Sequence, residues 1–188
     1  VDGDIALTGA GTVTLDAANI TSKDVTTVGG NITFSGAVVY DGAGAVAVGT
    51  GAGTGSVEFG NTLGISASTG TAGDQDLTIT ATTGNVTFTG VATINDNDLT
   101  VASSTITTVT GGIAGSTGSV DFTTVTRTDV DGDIALTGAG TVTLDAATIS
   151  NKDVTTVGGN ITFGDAVSLD VGTVEMGTGA GAGTIRFV

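Results

Sequence analysis

The chain has 188 residues, with 33 Gly and 39 Thr but no Pro, Cys, His or Trp, so it carries no thiolate or imidazole for Cys–His nucleophiles, Ser–His–Asp triads or ordinary zinc and copper sites. Four Lys and Arg against 19 Asp and Glu leave a net charge of −15, and a surface so poor in cations neither neutralises phosphates nor holds anionic lipid, which excludes nucleic-acid binding. Hydrophobic residues at 39% supply a core, and no run of 18 apolar residues codes a membrane-spanning helix.

A Gly about every six residues, set among β-branched neighbours, disfavours helices, because Gly costs about 1 kcal/mol against Ala in a helix interior. The expectation is an all-β chain. It starts without Met or a signal peptide, and reads as a mature chain or a segment of something longer.

In chain order, one short strand signature recurs, Gly-x-apolar-x-apolar: GDIAL (3–7), GNITF (30–34), GSVEF (55–59), GNVTF (84–88), GSVDF (118–122), GDIAL (132–136), GNITF (159–163) and GTIRF (183–187). Alternation puts Ile32 and Phe34 on one side and Asn31 and Thr33 on the other. Two further strand types lie between, AVVYD (37–41), VATIND (91–96) and AVSLD (166–170), then DLTITA (76–81) and DLTVAS (98–103). Gly, Asn, Asp and Ser fill the connections, as turns with positive φ require.

Residues 1–34 recur as 130–163 with three changes, Asn19 to Thr148, Thr21 to Ser150 and Ser22 to Asn151, a tandem period of 129 residues. The match resumes after a one-residue deletion with GTGAGTGSVEF (49–59) against GTGAGAGTIRF (177–187). The chain thus divides into a full repeat, 1–129, and a partial second one, 130–188, expected to be continuous with the first. The central residues of the signatures step by 27, 25, 29, 34, 14, 27 and 24. Counting 34 and 14 together as two steps gives five units of about 26 residues per period. A short, near-constant unit of this kind predicts a β-solenoid of seven to eight coils, with Ile32, Val57 and Val86 in one inward column and Phe34, Phe59 and Phe88 in another. Tandem Ig-like sandwiches are the alternative, without a reason for the short period.

VGGNITFSG (28–36), TATTGNVTFTG (80–90) and the Thr/Gly/Val/Ala texture throughout resemble the large repetitive surface proteins of bacteria, the filamentous-haemagglutinin-like and autotransporter-like β-helix group. The resemblance implies a right-handed parallel β-helix, secretion to the cell surface or beyond, and a role as stalk, fibre or adhesin.

Two acidic segments are candidate metal sites. In DVDGD, Asp129, Asp131 and Asp133 alternate about Gly132, as oxygen ligands do in the first half of a calcium loop, but no Glu completes it, and a tight Asp-Gly turn fits the same residues. NDND (95–98) offers the same choice. The charge gives calcium a purpose, since Lys23 and Lys152 are the only lysines opposing it. Paired carboxylates also serve glycosidases, some of which are β-helices, but with six Phe, one Tyr and no Trp there is little to hold sugar, and no catalysis is expected. Tyr40, replaced by Leu169 in the second copy, reads as a packing residue.

Thr runs such as TITATT (78–83) and TITTV (105–109) bring ice-binding solenoids to mind, but the irregular steps are expected to break such an array, and Thr is also a good solvated strand residue. The sequons at Asn19, Asn31, Asn85 and Asn160 arise readily from this composition. GTGAGTG (49–55) and GTGAGAG (177–183) lack the Lys and the following helix of a nucleotide loop, and read as corners where backbones approach closely. The expected function is structural: an extracellular fibre or adhesin stalk, copies stacked head-to-tail, without catalytic activity. The alternative is a binding module whose face recognises a glycan, a receptor or ice.

Overall fold

In the computed structural model, which describes residues 1–67, 75–170 and 172–188, the strands wind into a three-sided coil. The first four turns are β1 (Ile5–Ala6), β2 (Val13–Leu15) and β3 (Ala18–Thr21), then β4 (Val25–Thr26), β5 (Ile32–Phe34) and β6 (Val38–Gly42), then β7 (Val46–Gly49), β8 (Val57–Phe59) and β9 (Leu63–Ala67), then β10 (Leu77–Thr80), β11 (Asn85–Phe88) and β12 (Ala92–Asn95). In the fifth turn one long strand, β13 (Leu99–Val109), crosses the corner from the first face to the second, and β14 (Ile113–Gly115) forms the third. The rest are β15 (Val120–Phe122), β16 (Val125–Val130) and β17 (Ile134–Leu136), β18 (Val142–Leu144), β19 (Ala147–Ile149) and β20 (Val154–Thr155), β21 (Ile161–Phe163), β22 (Ser168–Leu169) and β23 (Met176–Gly177), with β24 (Ile185–Phe187) opening a ninth turn.

The pairings between these strands are parallel, each strand lying on the one a turn before. This is a β-solenoid of about eight turns. The antiparallel Greek-key pairing of an Ig-like sandwich is absent among the described residues, which overturns that alternative.

A turn takes about 21 residues, not 26, and ranges from 19 (Val142 to Ile161) to 31 (Val46 to Leu77). The excess arose because the Gly-x-apolar-x-apolar signature does not stay on one face. It falls on the first face as β1, on the second as β5, β8 and β11, on the first again as β15, on the third as β17, and on the first as β21 and β24. The step of 14 is therefore two-thirds of a turn and the step of 34 one and two-thirds.

The inward columns formed as alternation requires. Ile32, Val57 and Val86 pair in register and are buried, as are Phe34, Phe59 and Phe88. Their rings stack at centroid distances of 4.8 Å (Phe34–Phe59) and 5.4 Å (Phe59–Phe88), nearly parallel at 11° and 4°. Each such side chain taken from water stabilises by roughly 1.5–3 kcal/mol, and only the neighbouring coils provide its cover. The Phe34 column continues through Val109, Val130 and Ile149, while the Ile32 column passes through Thr107 and Thr128 to Ala147.

Thr107 and Thr128 are buried, so the reading of the 105–109 threonines as solvated fails at Thr107. By crossing the corner without a glycine turn, β13 turns Ser104 and Thr107 inward, where their hydroxyls hydrogen-bond each other at 2.8 Å. The two repeats meet inside β16, at Asp129 and Val130, so the solenoid runs on through the boundary.

Candidate functional sites

The corners where a strand begins carry most of the polar chemistry. A strand is often preceded by Asp, Asn or Ser, and that side chain accepts the backbone N–H of the equivalent residue one coil on. Asp24 Oδ1 accepts Ala47 N–H at 2.9 Å, Asp98 Oδ1 accepts Ser119 N–H at 2.8 Å, Asn31 Oδ1 accepts Ser56 N–H at 2.9 Å, and Asp153 Oδ1 accepts Glu175 N–H at 2.8 Å. These bonds, charge-assisted where the acceptor is Asp, satisfy amides that the turn would otherwise leave to water. They also stack carboxylates in rows, such as Asp133, Asp153 and Glu175.

The residues of DVDGD are divided among such tasks. Asp129 lies on the outer side of β16 and pairs with the Arg127 guanidinium at 2.8 Å. Asp131 is exposed at the corner, its backbone N–H given to the Val109 carbonyl at 2.8 Å. Asp133 Oδ1 accepts the Asp153 N–H at 3.1 Å. Among the described residues, no three acidic side chains come together with the spacing of metal ligands.

NDND is likewise engaged by the protein. Asn95 and Asn97 donate to the Ile65 carbonyl at 3.0 and 3.1 Å, and Asn97 Oδ1 accepts the Gln75 N–H at 3.2 Å. Asp96 accepts both the hydroxyl (2.9 Å) and the backbone N–H (3.2 Å) of Thr117. These bonds, the hydroxyl first, hold its carboxyl below the usual range. The residues were legible in the sequence but their partners, 21 to 32 residues away, were not, since Asn95 ends β12 and Asp96 and Asn97 lie in the turn before β13.

The glycine segments 49–55 and 177–183 are corners. A Cβ on Gly55 would strike the Gly30 carbonyl, and one on Gly183 the Gly159 carbonyl. Beside them buried Thr27 and Thr156 donate to the carbonyls of Gly30 and Gly159, both at 2.6 Å.

Outward, the second face carries an unbroken register of Thr14, Thr33, Glu58, Thr87, Thr108, Asp129, Thr148 and Ser168. The threonine column was expected to lose register at the irregular steps; it keeps it, because those steps are changes of face, and it is interrupted only by two acids. Tyr40 and five of the six Phe are buried, which leaves Phe187 as the exposed aromatic, at the end of the chain. No family model, no curated protein and no solved structure matches this chain.

Proposed function

We propose that the chain is a segment of a structural rod, an extracellular fibre or adhesin stalk that extends by stacking one coil end upon another. The observation that carries this reading is the uninterrupted stacking of coils, which passes through the boundary between the two repeats inside β16. The lower edges of β1 and β2 and the upper edges of β22, β23 and β24 have no partner strand among the described residues, while the lower edge of β3 is met by Val1, which bonds the Asn19 carbonyl and the Thr21 N–H. The apolar columns run out to the upper edge, where Leu169, Ile185, Phe187 and Val188 are exposed and a hollow of about 340 Å³ opens between Leu169, Met176 and Phe187. The upper edge carries one charge, Arg186 at the centre of β24, between the exposed Ile185 and Phe187, and open parallel edges pair with other strands.

The chain itself contains the precedent. The sequence of β1 recurs as β17, which has β14 on one side and β20 on the other, and β24 (IRF) aligns with β8 (VEF), held between β5 and β11. Eight turns at about 4.8 Å give a segment of about 38 Å. With its carboxylates tied to backbone amides at the corners, such a rod serves distance and stiffness better than ligand chemistry.

The test is electron microscopy with light scattering on the purified chain. End-to-end filaments one solenoid wide are expected, and the double variant Ile185→Lys/Phe187→Lys should stay folded by circular dichroism yet remain monomeric. A monodisperse unmodified monomer at high concentration contradicts the proposal.

A further inference from the structure

The tandem repeat and the three-sided coil do not share a period. From β1 to the residue before β17 the chain lays down 17 face-length segments, β13 counting for two faces. Seventeen is not a multiple of three, so one repeat makes five and two-thirds turns, and its successor begins one face away. The whole second copy obeys this. The sequence of β2, on the second face, returns as β18 on the first; that of β3, on the third, returns as β19 on the second; that of β4, on the first, returns as β20 on the third.

The corner conformation is largely kept by the move, with one departure: Ala146 has φ of 44°, whereas its equivalent Ala17 is not in the positive-φ region. Gly29 and Gly158 have φ of 82° and 85°, Ser22 and Asn151 of 47° and 53°, and the Thr27 and Thr156 hydroxyl bonds are both 2.6 Å. The sequence therefore specifies strand and corner geometry without specifying which face it occupies. The three faces are interchangeable hosts.

We propose that the repeat acts as a screw element: each further copy advances the rod by about 27 Å and turns it by one-third of a revolution, register returning after three copies, 17 turns or about 82 Å. Any outward feature is then carried on three rows around the rod. Lys23 and Lys152 already illustrate this, since they occupy equivalent positions just before β4 on the first face and just before β20 on the third. Such a surface suits partners that approach from any side, one per copy, such as neighbouring strands of a meshwork. A flat ligand lattice laid along one side, ice included, meets the same surface only at every third copy. The inference rests on the winding of the repeat and not on the rod being extracellular.

The chain has no native cysteine, so paired cysteines read the winding directly. Adjacent parallel strands bring Cα atoms within the 4.4–6.8 Å that a disulfide needs. Asp121→Cys/Thr143→Cys joins register partners on the first face, and Asp129→Cys/Thr148→Cys joins partners on the second; both should oxidise to intramolecular disulfides. Asp129→Cys/Thr143→Cys is the pair that an unrotated repeat would bring together, and it should stay reduced. Closure of that pair, or failure of the first two in a folded chain, overturns the proposal. A chain lengthened in phase, with residues 60–188 placed after Phe187 and gold attached at cysteines replacing Thr14, Thr143 and the appended copy of Thr143, should show its three tags on three sides of the rod; tags along one side overturn it as well.

Discussion

Tyr40 is wholly buried, its ring edge-on to Phe34 at 6.3 Å and 77°, and its hydroxyl has no partner among the described residues. Burial first, and then the Asp24 carboxylate, push the phenol far above its ordinary value, so it is a neutral, unsatisfied group in an apolar column. An unpartnered buried hydroxyl costs about 1–3 kcal/mol, and the equivalent residue in the second copy is Leu169, which needs no partner. Tyr40→Phe should raise the unfolding free energy in urea by about 1 kcal/mol; a loss of that size would show that the hydroxyl is satisfied. The packing role was legible in the sequence because a Leu replaces the Tyr. The burial of Thr107 was not, since TITTV alternates equally well in either phase and only the glycine-free corner of β13 decides which side faces in.

At the scale of elements, strand existence was legible from alternation and turn residues, and the inward positions of Ile32, Phe34, Val57, Phe59, Val86 and Phe88 followed from it. The coil length was not, because a signature that fits all three faces gives no sign of the one it occupies. The candidate sites were legible as residues, but the corner bonds that engage them connect successive coils and are invisible until the winding is known.

Corners also gather charge. Burial, then Asp165 and Asp121 on the adjacent coils, raise the carboxyl pKa of Asp145. A carboxyl that binds its proton more tightly in the folded state than in the unfolded one costs stability when ionised; the cost is present at neutral pH and disappears as pH falls through the carboxylate range. Asp96 has the opposite sign, contributing stability at neutral pH that is lost as pH falls through its lowered folded value. Asp145→Asn should therefore raise the melting temperature at pH 7 and Asp96→Asn lower it, both differences shrinking in acid. Thermal melts across pH check this, and an Asp145→Asn variant less stable than the unmodified chain at pH 7 would contradict it.

For the whole molecule, stability is shared between neighbouring coils, because no turn closes a core by itself. The same property that lets the columns run from Val13 to Phe187 leaves the ends open to stacking, and lets a repeat of five and two-thirds turns continue without a fault. The account depends on one arrangement, parallel coils about 21 residues long with side chains stacked turn upon turn. Ring-to-ring nuclear Overhauser effects in the 17.9 kDa chain, with phenylalanines labelled one at a time, test it most directly. The account predicts strong contacts for Phe34–Phe59, Phe59–Phe88 and Phe163–Phe187, whose centroids lie 4.8, 5.4 and 5.1 Å apart, and none between Phe34 and Phe163, which occupy equivalent places in the two repeats. A Phe34–Phe163 contact, or the absence of the first three, would contradict it.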